Sequence, residues 1–386
     1  MKQKRICLFR GNVTTDGNVD RIGKSMMAAF AANGWSAELV DISQGNPAEA
    51  FARLVRLAET EGIDYFLSVE AMGLLTGAEA LLEKSGARQL YWALDHPYSG
   101  VDRLLGLPRE SVATFPTRSN LDCCSTYLRQ DLVLACAAHA AEPTAVRAWS
   151  DRDIQILVVG NVDGPHPDAI RAGWRQMPAP WPMVLEHMAE TWASAPRTPL
   201  EDLARGALVA AGASGADGHA FFRVQGQFDN WARLFVRHAT IATLSALPLT
   251  LVGRGWETVG APTHNRLGPR PAEEVAELMA RSKLVLNILP DYYRSHERVF
   301  EAMAAGCAVV SSGTGYLANA MGTETYSGDQ TAISYMGPLA GRGERLSGLW
   351  NDAPAIAALA EAGLAEFLAH HTWDHRVAGL MPVIGP

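Results

Sequence analysis

L-V-L-N-I-L-P-D-Y-Y-R-S-H-E-R-V-F-E-A-M-A-A-G-C-A-V-V-S-S, Leu284 to Ser312, is the stretch whose reading decides the fold. It reads as strand, loop, helix, strand. Leu284–Leu289 is a short apolar run rich in branched residues, the composition of a parallel strand buried on both faces. Pro290 ends it, because proline has no N–H to give to a ladder. Asp291–Arg294 is a polar and aromatic connection, and Ser295 is a residue type that caps a following helix. Val299, Phe300, Met303 and Ala304 give that helix an apolar face, and Gly306 stops it. Ala308–Val310 opens the next buried strand.

Arg294, His296 and Arg298 crowd the helix entrance, where backbone N–H groups lack partners and the dipole is positive. That combination suits a diphosphate. Glu301, one to two turns further in, is placed to accept hydrogen bonds from sugar or ribose hydroxyls. The plainer alternative is an amphipathic helix whose charges are merely solvated.

The string R-V-F-E-A-M-A-A-G-C-A-V-V-S-S (Arg298–Ser312) resembles the C-terminal donor-site motif of group 1 glycosyltransferases with the GT-B fold, and is most similar to their spore-maturation-type branch. The resemblance extends upstream through the Leu249–Trp256 region and through Arg266–Lys283. Downstream, H-H-T-W-D-H-R-V (His370–Val377) is similar to the family's closing helix. It implies two doubly wound α/β domains facing each other across a cleft. It further implies a nucleotide-diphosphate-sugar donor, of the UDP- or GDP-sugar class, and a saccharide, lipid-linked or protein acceptor. The donor residues it implies are Arg294, Ser295, His296, Arg298 and Glu301. Arg254 joins them, since a glycine-flanked arginine at a strand end can reach a diphosphate. One departure stands out: many relatives carry a glutamate eight positions before the Glu301 equivalent, and Tyr293 occupies that place. The stereochemistry of transfer therefore does not carry over. A sugar-nucleotide epimerase of the same fold and a non-catalytic nucleotide-sugar-binding protein are the alternatives.

Composition sets the outer limits. A chain of 386 residues is long for one core and points to two domains. Hydrophobic content of 48% and charged content of 19% are those of a globular protein. A net charge of −8 argues against nucleic acid as a partner, because phosphate neutralisation needs a basic surface. The five cysteines (Cys7, Cys123, Cys124, Cys136, Cys307) form no metal-ligand spacing, and their odd number fits a reducing compartment, here the cytoplasm. No apolar run reaches the ~18 residues of a membrane span, which leaves peripheral membrane contact as the only kind expected.

Along the chain, strands are expected at Ile6–Phe9, Ala37–Val40, Tyr65–Val69 and Leu90–Leu94, with helices at Arg21–Asn33, Pro47–Glu61 and Gly77–Ser85 between them. That alternation implies a parallel sheet that binds ligands at its carboxyl edge. An alanine- and leucine-rich helix is expected over Arg129–Ala141, and a fresh strand at Ile154–Val159. Further helices are expected at Met183–Ala195, Leu200–Gly212, Asn230–Leu247 and Pro354–His370, with a strand at Leu249–Val252. The expected division is an acceptor-side domain over 1–150, a donor domain over 151–365, and a closing helix over 366–386 that packs on the first domain.

Two near-motifs fall away. G-N-V-D-R-I-G-K-S (Gly17–Ser25) has Asn18 where a P-loop needs glycine. Asp151-Arg152-Asp153 has the D-x-D form of metal sites but precedes a strand, so it reads as a solvated linker, and no metal site is expected. Trp256, His264, His370, His371 and His375 read as structural. His96 is different: Y-W-A-L-D-H-P-Y ends a strand with a carboxylate and an imidazole, the side chain whose charge changes nearest neutral pH. His96, oriented by Asp95, is the expected general base, with Asp16 and Asp20 as lesser candidates; capping of the following turn is the alternative.

Overall fold

The computed structural model describes residues 3–10, 17–41, 46–70, 72, 79–215, 217–313, 315–320 and 332–385. The chain divides into two compact units. Unit 1 comprises Met1–Glu142 with His371–Pro386, and unit 2 comprises Pro143–His370.

Unit 1 is a six-stranded sheet of β1 (Arg5–Arg10), β2 (Ser36–Asp41), β3 (Tyr65–Val69), β4 (Arg88–Trp92), β5 (Val112–Phe115) and β6 (Val133–Cys136), in the order β2-β1-β3-β4-β5-β6. All its pairings are parallel. Side chains alternate across the sheet as a two-residue period demands. Ile6, Leu8, Leu67, Leu90 and Trp92 meet Ile22, Met26 and Phe30 of α1 (Asn18–Ala32) on one face. Cys7 and Phe66 meet Leu54 and Leu57 on the other.

The expected helix over Arg129–Ala141 is corrected. The helix of that region is α5 (Arg118–Tyr127), and Val133–Cys136 is instead the edge strand β6, paired with β5. Alanine and leucine favour helix only weakly, and a whole ladder of pairing outweighs them. Arg129 fixes the turn into that strand by donating to the carbonyls of Leu105 and Leu107 and to Asp131. The loop 11–16, with Asp16, lies outside the described residues.

The last helix, α15 (Trp373–Ile384), lies in the same core as α1. Trp373 packs edge-on against Trp92 at 6.0 Å. Arg376 is buried, and its Nε donates to the carbonyls of Ala138 (3.2 Å) and His139 (3.1 Å). Burial pushes the Arg376 pKa down to about 10, still far above neutrality. Thr372 and His375 close a capping box at the helix start.

Unit 2 is a second parallel sheet, built from β7 (Ile154–Val159), β8 (Leu249–Val252), β9 (Asn265–Gly268), β10 (Ser282–Asn287), β11 (Ala308–Ser311) and β12 (Ser334–Tyr335). Its order is β12-β11-β10-β7-β8-β9, so the strand order reverses between β7 and β10. Between β7 and β8 come α6 (Pro167–Trp174), α7 (Trp181–Ser194), α8 (Leu200–Ala210) and the long α9 (Gly218–Ala242). The helix expected to begin at Asn230 in fact begins at Gly218, where the Asp217 side chain accepts from the Ala220 N–H. The Asp151–Asp153 tract is only partly the solvated linker expected. Asp153 pairs with Arg281, which draws its pKa down to about 2. Arg152, however, is buried and donates to the carbonyls of Arg147, Ser282 and Ala305.

Truncating Trp373 to alanine should remove a buried indole from the unit 1 core and cost about 3–5 kcal/mol. Chemical denaturation followed by far-UV circular dichroism measures this.

Candidate functional site

In an open parallel sheet the point of strand reversal leaves a crevice at the carboxyl edge, because adjacent crossovers run to opposite faces. In unit 2 that point lies after β7 and β10. Gly160 follows β7 with φ 154, a conformation open to glycine, and a Cβ there would meet the Arg237 guanidinium at 3.2 Å. Arg237 comes from α9 and spans the reversal: its Nη1 donates to Asn161 O at 2.6 Å and its Nε to Ile288 O at 3.3 Å. Burial, then the charges of Arg298 and Arg233, push its pKa down to about 9, while Tyr293 and Asp229 act the other way. It stays a cation at neutral pH.

The helix read from the sequence as following the loop is α11 (Glu297–Ala304). Its cap is His296, not Ser295: the His296 Nδ1 accepts the Arg298 N–H at 3.2 Å, and Ser295 is buried one residue earlier. Because Nδ1 is an acceptor, neutral His296 carries its proton on Nε2. Arg298 lies in the first turn, and its Nη1 is buried without a hydrogen-bond partner. Glu301 is half-buried one turn on, and Arg294 is exposed.

Arg254 meets the same Asn161 that Arg237 holds, through its backbone. Its side chain pairs with Asp163 at 2.9 Å on the surface of the β7 and β8 loops, and its backbone N–H donates to Asn161 Oδ1. Trp256 is buried, and its Nε1 donates to Gly160 O at 2.6 Å, so it packs beneath the crevice rather than lining it.

Tyr293, which stands where the resemblance leads one to look for glutamate, donates its hydroxyl to Asp229 Oδ2 at 2.9 Å. Tyr292 donates to Asp229 Oδ1 at 2.6 Å, and Arg233 Nε lies 3.2 Å from Oδ2. Asp229, Arg233 and Arg237 share one helix at four-residue spacing, and so share a face. Sequence reasoning missed all three. The signal was present in D-N-W-A-R-L-F-V-R, whose charged residues recur at i, i+4 and i+8, but the helix start had been set one residue too late to include Asp229. In the loop ahead of α11, Asp291 is buried too, accepting from Tyr335 OH at 2.7 Å, and burial raises its pKa.

In unit 1 the Asp95–His96 pair follows β4. His96 caps the one-turn helix Pro97–Gly100, its Nδ1 accepting the Tyr98 N–H at 3.2 Å. That bond places the neutral imidazole's proton on Nε2, so in this arrangement the ring offers a donor. The capping role given as the alternative for His96 is thus present, and its role as a base is a matter for the proposal below. Glu70, which the sequence did not single out, holds the loop: it adopts φ 52 at the end of β3 and accepts the N–H groups of Leu94 and Asp95 and the Tyr91 hydroxyl. Asp20 is engaged by Arg10 at 2.6 Å and Lys24 at 3.2 Å.

Residues 227–381, from α9 into α15, match the Glyco_trans_1_2 family, described as glycosyl transferase-like. The whole chain superposes on solved glycosyltransferases. An α-glucosyltransferase in complex with UDP-glucose and DNA containing an abasic site aligns over 100% of both chains at 14% identity, with a TM-score of 0.56. Sucrose-phosphate synthase of Thermosynechococcus elongatus aligns over 99% of this chain and 98% of its own at 11% identity, TM-score 0.53. HepE of Anabaena in complex with UDP-glucose aligns over 98% and 100% at 12% identity, TM-score 0.53.

The chain has the GT-B fold, and its residues 227–381 match a glycosyl transferase-like family. At these identities the neighbours attest the fold alone, and the family match is confined to residues 227–381. No curated protein matches the chain in sequence. Among the described residues no group of three acidic, histidine or cysteine side chains is arranged to hold a metal. No described helix is long and apolar enough to cross a membrane.

The crevice depends on Gly253 as well as Gly160. A Cβ at Gly253, φ 130, would lie 2.0 Å from Gly160 O. Gly253→Ala should therefore displace the β7 loop and lower unfolding free energy by at least about 2 kcal/mol, read by thermal and chemical denaturation.

Proposed function

We propose that unit 2 binds a nucleotide-diphosphate-sugar, of the UDP- or GDP-sugar class, and that transfer proceeds without a metal. The observation that carries this reading is the convergence of Arg237 and Arg298 at the reversal of strand order, with one buried guanidinium nitrogen left unpartnered. Two cations held in a crevice are matched by a diphosphate, and the start of α11 adds the positive end of a helix dipole. The neighbours solved with UDP-glucose support the UDP-sugar class.

In the reaction the bond from the anomeric carbon to the β-phosphate oxygen breaks, and its electron pair passes to the diphosphate. The acceptor hydroxyl oxygen forms the new bond to that carbon and gives up its proton. Arg237, Arg298 and the Nε2–H of His296 stabilise the charge gathering on the leaving diphosphate. Glu301 accepts hydrogen bonds from sugar or ribose hydroxyls. Arg294, Ser295 and Arg254 stand at the margins of this arrangement, Arg254 being committed to Asp163.

The acceptor, a saccharide, a lipid-linked sugar or a protein, is assigned to unit 1. Should transfer invert, the base comes from this unit, and His96 with the exposed Asp95 beside it, just after β4, is the candidate. The spore-maturation-type branch remains the affiliation we propose on the Arg298–Ser312 string, and the free thiols fit a cytoplasmic enzyme.

Isothermal titration of UDP, GDP and their glucose conjugates in the presence of a chelator tests the reading. Binding should survive the chelator. Arg237→Gln and Arg298→Gln should each weaken nucleoside diphosphate binding by about 1.5–3 kcal/mol, the worth of a hydrogen bond to a charged group. Glu301→Ala should weaken the sugar nucleotide more than the bare diphosphate. Unchanged affinity in both arginine variants would refute the site.

A further inference from the structure

The same crevice holds a third guanidinium, that of Arg233, and a carboxylate that cancels it. Asp229 is fully buried, while the Arg233 side chain is 39% exposed, and the two lie 3.2 Å apart. The hydroxyls of Tyr292 and Tyr293 fix the carboxylate from the side of the loop that precedes α11. One face of α9 therefore presents a negative, a positive and a second positive group in succession, and the last of them is the one that spans the strand reversal. The charges of Asp229, Arg233 and Arg298 all act on Arg237, so the four groups share one electrostatic neighbourhood. A buried carboxylate is costly unless it is paired and hydrogen-bonded, and this one accepts from three side chains.

We propose that Asp229 is a positioning residue that sets the charge of the donor site: by neutralising Arg233 and anchoring Tyr293, it leaves the site with the two cationic charges of Arg237 and Arg298. This inference rests on the diphosphate reading given above. A site with three uncancelled guanidinium groups would hold a diphosphate more tightly both before and after the transfer. The product nucleotide would then leave slowly, since binding substrate and product equally well does nothing for turnover. Asp229 trades affinity for release.

The test is a thermodynamic cycle on Asp229 and Arg233, with UDP and GDP as probes in isothermal titration at low and high salt. Asn is the same shape as Asp and can still exchange hydrogen bonds with both tyrosines, so Asp229→Asn removes charge alone. It should bind nucleoside diphosphate about ten-fold more tightly at low salt, the size expected for one unit charge several ångströms away, with the gain shrinking as salt rises. Arg233→Gln uncovers the buried carboxylate and should weaken binding about ten-fold. The double variant should return to within about three-fold of the wild type. In steady state, with the acceptor in excess, Asp229→Asn should lower KM for the sugar nucleotide and lower kcat with it.

A purely structural role for Asp229 gives a different result: both single variants and the double variant bind more weakly, with falling thermal midpoints. That outcome overturns the inference and leaves the diphosphate reading intact, provided that Arg237→Gln weakens binding as set out above. If Asp229→Asn does not fold, Arg233→Gln decides alone, because its side chain is partly in solvent; unaltered affinity there is equally fatal to the inference. Unaltered affinity in Arg237→Gln and Arg298→Gln removes the diphosphate site itself, and the charge-setting role falls with it.

Discussion

Two like charges held side by side, in a crevice that is partly shielded from water, are the constraint around which unit 2 is arranged. Arg237 satisfies its donors on carbonyl oxygens, which supply partial charge but no full negative charge. Its pKa falls because burial and the Arg298 and Arg233 cations all disfavour the protonated form. A folded protein tolerates such an arrangement where an anion is to be received, since the ligand supplies the missing charge. The neighbouring pair Asp229–Arg233 shows the contrasting solution, a cation cancelled within the protein.

The surrounding backbone exists to hold that crevice open. Glycine at 160 and 253 lets the loops after β7 and β8 touch main chain to main chain, and Trp256 seals the underside. Arg342 ties the loop after β10 to α9 through Thr240 Oγ1 and lies 3.7 Å from Asp291. The guanidinium donors are thus fixed by elements distant in sequence, which keeps the reorganisation needed on ligand binding small.

In unit 1 the comparable organising group is Glu70. Its carboxylate gathers two backbone N–H groups, a tyrosine hydroxyl and Arg103, and so fixes where Asp95 and His96 stand. A non-glycine residue at φ 52 is strained, and the interactions of its side chain over-determine it. The alanine-rich edge strand β6 shows the reverse case, local preference yielding to pairing.

Much of the architecture was legible in the residue pattern alone. Apolar runs marked where most strands fall in both halves, those after Ile154, Leu249 and Leu284 being ended by glycine or proline, and Arg298 and Glu301 were visible as polar residues in the first turns of a helix. Those features are local, and local sequence carries them because period and chain-breaking residues act over a few positions. The pairing of Arg237 with Arg298, the burial of Asp229 beneath two tyrosines, and the transfer of the cap from Ser295 to His296 were not legible. They depend on which strands lie adjacent and how a 25-residue helix is rotated about its axis, and only the packed sheet decides that.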